Sequence, residues 1–188
     1  MSTVQATVKD RPVLFRDEMV RAILAGHKTQ TRRLPGPHRY VVGQKLWVRE
    51  TWAMAMSCPV EPGQPVLYRA DAKPIYDQLT WNSAIFMPRW ASRITLEVTA
   101  VRSERLHCIS WEDIRAEGVG EEWPFTRFAR LWDSIHGKGA WHKDPLVWVI
   151  EFRTLQKPKP VSFDELPNVN LTDGQDAADY VAKMREEE

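Results

Sequence analysis

The sequence predicts an α+β protein: a small β-barrel with flanking helices, an insertion and a C-terminal tail. Three observations carry this expectation. At 188 residues and 43% hydrophobic content, the chain can bury one core and is short for two domains. Its periodic segments run strand, helix, strands, helix, helix, strand, an order that suits a barrel with helices packed on it. Ile94 to Val101 alternates cleanly, with Ile94, Leu96 and Val98 on one face and Thr95, Glu97 and Thr99 on the other, and is the most regular strand in the chain.

Residues 1–11 are polar and predict a flexible N-terminus. Val13, Leu14 and Phe15 make a short first strand. Asp17 is the expected N-cap of a helix running to about Ala25, with Glu18 favoured near its positive end. Val20, Ile23 and Leu24 give that helix its apolar stripe, and Gly26 stands where a left-handed residue ends a helix. Beyond it, Thr29, Thr31 and Arg33 alternate with Gln30 and Arg32, so Lys28, two hydroxyls and two guanidiniums leave an extended segment in two fixed directions. Chemistry alone leaves this stretch open between a solvated basic surface and a polar site, because lysine suits a helix C-terminus and threonine a strand.

Pro35-Gly36-Pro37 breaks regular structure, and a strand is expected over Lys45 to Thr51. Arg49 and Glu50 are neighbours on it, so they point to opposite faces and each needs another partner. Residues 53–92 are rich in Met, Pro and Trp and read as an insertion, with Leu67 to Ala70 as a short strand. Its aromatics interleave with arginine, the combination that base stacking and phosphate contact require, although an ordinary lid would use the same residues to stay folded. Trp52 and Trp90 are the stacking candidates, with Arg89 beside them.

Ser110 and Asp113, flanked by Ile109 and Ile114, form a capping box and staple that start a helix at Trp111 and end it near Gly118. Glu117 in its last turn opposes the helix dipole, costing about 0.3–1 kcal/mol if exposed, and so calls for a neighbouring cation. Pro124 opens a further helix whose stripe of Phe125, Phe128, Leu131 and Trp132 reads as core, closing near Gly137. Val147 to Phe152 is an apolar final strand.

Residues 156–188 carry 4 Lys+Arg against 8 Asp+Glu, net −4, which leaves 22 against 17, net +5, for the rest. A mobile acidic tail after Lys157-Pro158-Lys159-Pro160, on a body able to meet a polyanion, is the expectation. Cys58 and Cys108 make no disulfide framework, and no signal peptide or long apolar run is present, so a cytoplasmic protein with no membrane span is expected. The five histidines stand apart with no zinc spacing, and Gly137-Lys138-Gly139 lacks the spacing of a phosphate loop; no metal or other cofactor is expected. Nothing in the sequence fixes an oligomeric state.

A resemblance sharpens this picture. The run from Gly26 through Lys28 and Thr31 to Arg33 after a helix, followed by Val42-Gly43-Gln44-Lys45-Leu46-Trp47-Val48 and the closing Val149-Ile150-Glu151-Phe152, resembles the ASCH (activating signal cointegrator homology) family. Trp47-Val48-Arg49-Glu50-Thr51-Trp52 and Met87-Pro88-Arg89-Trp90-Ala91-Ser92-Arg93 are similar to runs in its phage and bacterial branch. The resemblance covers about residues 12–155 and implies a PUA-like β-barrel, with 53–92 inserted. It implies a partner that is RNA or a modified nucleoside, and an amidohydrolase acting on acetylated cytidine in which Lys28, Thr31 and Glu117 are catalytic; Glu117 enters by alignment of the helix start. Arg32, Arg33, Arg49, Glu50, Trp52, Arg89 and Trp90 are then the expected nucleic-acid or substrate contacts. A non-catalytic RNA-binding module and a ribonuclease stand as alternatives.

Overall fold

The computed structural model of the chain describes residues 9–37, 39–54, 66–72, 79–120 and 122–155. The expectations for the first residues, the acidic tail and parts of the insertion lie outside them. The described elements, in chain order, are β1 (Arg11–Leu14), α1 (Asp17–Leu24), β2 (Gln30–Arg33), β3 (Lys45–Arg49), β4 (Trp52–Met54), β5 (Val66–Tyr68), β6 (Thr95–Arg105), α2 (Trp111–Ala116), α3 (Pro124–His136) and β7 (Leu146–Thr154).

Five strands form one sheet in the order β1-β3-β6-β7-β2, parallel between β1 and β3 and antiparallel elsewhere. β7 reads as a continuous apolar run because both of its faces are covered. Val147 and Val149 pack with Leu106, Ile114, Phe128 and Trp132 beneath α2 and α3, whereas Ile150 and Phe152 pack with Val20, Ile23, Leu46 and Val98 beneath α1. A bulge between Val98 and Ala100 shifts the β6–β7 register, and such bulges bend a sheet.

The closed barrel expected from the sequence is absent from the strand pairings of the described residues. No backbone ladder joins β1 to β2; instead the Arg33 guanidinium on β2 donates to the Leu14 carbonyl on β1 at 2.9 Å. Phe15, just after β1, meets the Phe152 ring of β7 with centroids 6.2 Å apart. The sheet therefore curls until its edges are bridged by a side chain.

Several element ends differ from expectation for local reasons. Arg16 rather than Asp17 is the N-cap of α1, without a side-chain cap bond, and Asp17 and Glu18 occupy the first turn. The strand expected over Lys45 to Thr51 stops at Arg49, because Glu50 turns inward and β4 starts a second sheet with β5. The strand expected over Leu67 to Ala70 is Val66–Tyr68, followed by a single 3₁₀ turn, Arg69–Asp71. The β6 strand runs four residues beyond Val101, to Arg105. The α2 start is as read: the Ser110 hydroxyl accepts the Asp113 N–H at 3.1 Å, and Ile109 and Ile114 share one core cluster.

The β4–β5 sheet and the turn at Arg89–Ala91 have their own small core of Trp52, Val66, Tyr68, Met87 and Ala91. A buried ion pair fastens it to the main sheet. Glu50 is 0% exposed, and Arg93 grips both of its carboxylate oxygens at 2.9 Å while also reaching Asp71 and lying 3.9 Å over the Tyr68 ring. Burial pushes the Glu50 pKa up, against the downward pull of Arg93.

Arg93→Met should therefore destabilise the protein by about 3–5 kcal/mol in urea denaturation, since it strands a buried carboxylate. Glu50→Gln/Arg93→Met should recover much of that loss. Without Arg93 the Glu50 pKa rises further, so the single variant's deficit should be smallest in acid and grow as pH rises through that raised value. A deficit that is flat with pH would assign the loss to packing alone.

Candidate functional site

The site begins with how α1 ends. Gly26 takes φ +76°, its N–H bonds to the Ile23 carbonyl at 3.0 Å, and the His27 N–H bonds to the Ala22 carbonyl at 2.9 Å. This is the left-handed turn with paired back-bonds that closes a helix sharply. The chain then runs between two other elements: the Thr29 N–H donates to the Ala116 carbonyl at the end of α2, and the Phe152 N–H of β7 donates to the Thr29 carbonyl, each at 2.8 Å. Lys28 is thereby fixed opposite Glu117, and the two residues form an isolated antiparallel bridge.

Lys28 is 3% exposed, and its ammonium makes three hydrogen bonds: to the Gln30 carbonyl at 2.8 Å, the Glu117 carbonyl at 2.9 Å and Glu117 Oε2 at 2.8 Å. The cation that Glu117 called for is this one, at the negative end of α2. Burial holds the Lys28 pKa below the ordinary lysine value despite the raising effect of Glu117, and Arg33 and Arg32 push it the same way as burial. Glu117 Oε1 accepts from Arg32 at 3.2 Å.

These groups border a cavity of about 490 Å³ lying between the two sheet edges. Lys28, Thr31, Arg32, Arg33 and Glu117 line it on the β2 side, Pro12 to Arg16 form the β1 wall, and Phe128, Trp132 and His136 of α3 form a third wall. Ser83 and Ala84 also line it. Apolar walls with a few polar groups on one side suit a small, partly aromatic ligand. His136, at the end of α3, lies against Trp132 with ring centroids 4.2 Å apart, and its pKa is pushed down by partial burial and by Arg33.

The expected residues separate into three groups. Lys28, Thr31 and Glu117 converge at the cavity, with Arg32 and Arg33 beside them. Arg32, however, is buried and spent on Glu104, Asp113 and Glu117, while Arg33 donates to the Leu14 and Arg32 carbonyls and lies 5.1 Å from the Phe15 ring. Arg49 and Arg89 lie over one indole, Trp47, at 4.6 and 5.8 Å, and Arg49 also donates to the Ile85 carbonyl; among the described residues neither has a carboxylate partner. Glu50 and Trp52 do not line the cavity. Glu50 is held by Arg93, and Trp52 is 0% exposed with its ring edge-on to Trp90 at 6.1 Å, so it has no face free for a base. Trp90 is packed beside that core. The α3 wall and Tyr40 were not expected at the site; the aromatic stripe of α3 carries no mark in sequence that distinguishes a cavity wall from core. Among the described residues no cluster of His, Cys, Asp or Glu could hold a metal ion, and no helix is long and apolar enough to cross a membrane.

No family model and no curated protein matches the chain. Among solved structures it is similar to several proteins, two of which are named as ASCH proteins. One is a protein of Enterococcus faecalis of the DUF984 family, with 12% identity, a TM-score of 0.45, and 81% of this chain and 83% of that chain covered. The second is an ASCH domain from Lactobacillus crispatus, with 14% identity, a TM-score of 0.43, and 78% and 79% covered. The third is a point mutant of the ASCH protein of Zymomonas mobilis, with 13% identity, a TM-score of 0.42, and 84% and 78% covered.

Gly118 shows how tightly Lys28 is seated. It takes φ +75°, and a Cβ there would lie 2.8 Å from Ala22 Cβ and 2.9 Å from Lys28 Cβ. Gly26 has nearly the same φ but nothing within 4 Å of its Cβ position. Gly26→Ala should thus cost only the left-handed strain, about 1–2 kcal/mol, and Gly118→Ala a further 1–3 kcal/mol or so from overpacking. Thermal denaturation of the two variants should separate them; equal losses would mean that Lys28 is not held by this contact.

Proposed function

We propose that the protein takes a modified nucleoside, free or within RNA, into this cavity and hydrolyses an amide on it, such as that of N4-acetylcytidine. The observation that carries the reading is the 2.8 Å contact of the buried Lys28 ammonium with Glu117 Oε2, at a cavity that Thr31 also lines. A hydroxyl is a poor nucleophile until a base removes its proton, and a lysine serves as that base only when neutral. Burial holds the Lys28 pKa below the ordinary lysine value and so brings that neutral form within reach, with Glu117 orienting the amine.

Lys28 then accepts the Thr31 hydroxyl proton as Thr31 Oγ1 bonds to the amide carbonyl carbon. On collapse, the C–N bond breaks and the leaving amine takes that proton back from Lys28. Water, activated by Lys28 in the same way, cleaves the acyl-threonine, releasing the acid and restoring the hydroxyl. Arg33, with no carboxylate partner among the described residues, is the cation available to the developing oxyanion.

One observation favours a non-catalytic module instead. All three Lys28 N–H groups are already satisfied inside the protein, so the lysine has a structural role without any substrate. In that reading the cavity only holds a base, while Arg49 and Arg89, cations without carboxylate partners among the described residues, contact phosphate.

The purified protein should release cytidine and acetate from acetylated cytidine, with Lys28→Ala and Thr31→Ala each lowering kcat/KM by about 10²–10⁴-fold while retaining native circular dichroism. Rate should rise with pH through the lowered Lys28 pKa and then level off. Arg33→Gln removes a charge that depresses this pKa and should move the limb to higher pH. Binding without turnover in the unaltered protein would leave the module reading. For an RNA oligonucleotide, Arg49→Gln and Arg89→Gln should each flatten the salt dependence of affinity by about one unit or less; an unchanged slope in the double variant would confine the ligand to the cavity.

A further inference from the structure

A line of ion pairs runs from the cavity to the surface. Arg32 on β2 and Arg102 on β6 are both register partners of Val149 on the intervening β7, so the two arginines stand on one rung of the sheet. Asp113 of α2 lies over that rung and accepts from both, at 2.8 Å from Arg32 and 2.9 Å from Arg102. Glu104, two residues after Arg102 on the same face of β6, also accepts from both, and Glu151 meets Arg102 at the outer end. At the inner end Arg32 reaches Glu117 Oε1, while Lys28 takes Glu117 Oε2. Side-chain exposure falls from 38% at Arg102 to 1% at Arg32 and 2% at Lys28.

This geometry divides Asp113, Glu104 and Glu117 each between two cations. The more firmly Arg32 is held by Asp113 and Glu104, the less of its charge falls on Glu117, and the more completely Glu117 serves Lys28. Arg102 works against this by taking the outer oxygens of the same two acids. With low exposure along the inner half, these charges are weakly screened and act on one another at full strength.

We infer that Arg32, Asp113 and Arg102 are positioning residues which, through the shared Glu117 carboxylate, set how readily Lys28 gives up its proton. The charged groups facing Lys28 itself are Glu117 from the end of α2 and Arg32 and Arg33 from β2; Arg16, Tyr40 and His136 share its cavity, and the Phe15 ring lies 5.5 Å from its ammonium. Removing an acid from the line adds net positive charge beside Lys28 and favours its neutral form. Removing an arginine does the reverse. The inference rests on the proposed hydrolysis only for its catalytic consequence; the ion-pair line itself stands on geometry.

The test is to titrate Lys28 in the full chain by carbon-13 NMR of its Cε, with the resonance assigned from a Lys28→Arg variant. In Asp113→Asn, Lys28 should titrate at lower pH than in the unaltered protein; in Arg32→Met and Arg102→Gln, at higher pH. Merely structural roles give a different pattern, since loosening the site admits water and moves Lys28 toward ordinary lysine behaviour in every variant. An upward or absent shift in Asp113→Asn therefore overturns the inference. Should Arg32→Met fail to fold, Arg102→Gln supplies the arm of the same sign from a half-exposed position. Shifts of opposite sign without turnover on acetylated cytidine would keep the ion-pair line and remove the hydrolase reading. Turnover without them would do the reverse.

Discussion

A lysine ammonium taken out of water must find acceptors for all its protons, and the architecture around Lys28 follows from that demand. An unpaired buried charge is far costlier than an exposed one, so the two elements that supply its acceptors have to meet it at one point. Gln30 supplies a carbonyl from β2, and Glu117 supplies both a carbonyl and a carboxylate from the end of α2. The helix α1 ends against this residue, whose N–H donates to the Ala22 carbonyl, and α2 ends against the next one, the Thr29 N–H donating to the Ala116 carbonyl. Each ends in a glycine of positive φ, Gly26 and Gly118, because the chain must leave the helix axis within one residue to bring Lys28 and Glu117 face to face.

The protein uses the same device twice, with different consequences. Glu50 and Arg93 make a bidentate pair walled in by the β4–β5 core, and no atom of Glu50 is available to a ligand. That pair joins the β4–β5 layer to the main sheet. Lys28 and Glu117 are buried to almost the same degree, yet they border the cavity left where the sheet edges fail to pair. What distinguishes a fastening from a candidate site is therefore neither the charges nor their burial. It is the open seam between β1 and β2, which Arg33 bridges without filling.

Signals confined to a few neighbouring residues were legible in the sequence. The Gly26 turn, the Ser110 cap with its Ile109–Ile114 contact, the alternation of β6 and the apolar β7 each depend on contacts within one element or its ends. A carboxylate at a helix C-terminus is a local electrostatic oddity, but by itself Glu117 reads as a surface acid. Its pairing with Lys28 came only from resemblance. What sequence could not supply were pairings across distance: Arg93 as the partner of Glu50, 43 residues away, or Asp113 and Glu104 as the owners of Arg32. Arg32 read as a ligand contact because a strand's alternation says that two faces exist but not which layer covers each. Trp52 read as a stacking platform for the same reason, and Phe128 and Trp132 gave no sign that their stripe would border a cavity.

The alternation in β2 has a consequence of its own. Arg32 shares a rung with Val149 and turns toward the carboxylates gathered under α2, while Thr31 and Arg33, its neighbours on either side, point the other way, Arg33 reaching across the seam to Leu14 and Phe15. A period of two thus sends the Arg32 guanidinium to the carboxylates and the side chains of Thr31 and Arg33 to the other face, although all three border the cavity. A slip of one residue in the β2–β7 register would exchange the roles, presenting Arg32 to the seam and burying Thr31 and Arg33 among acids. The register is held by contacts outside β2: the Phe152 N–H bonded to the Thr29 carbonyl, and the Lys28–Glu117 pair at its head. Lys28 and Glu117 therefore do two things at once: they border the cavity and they help a small strand at the sheet's edge keep its side chains in register.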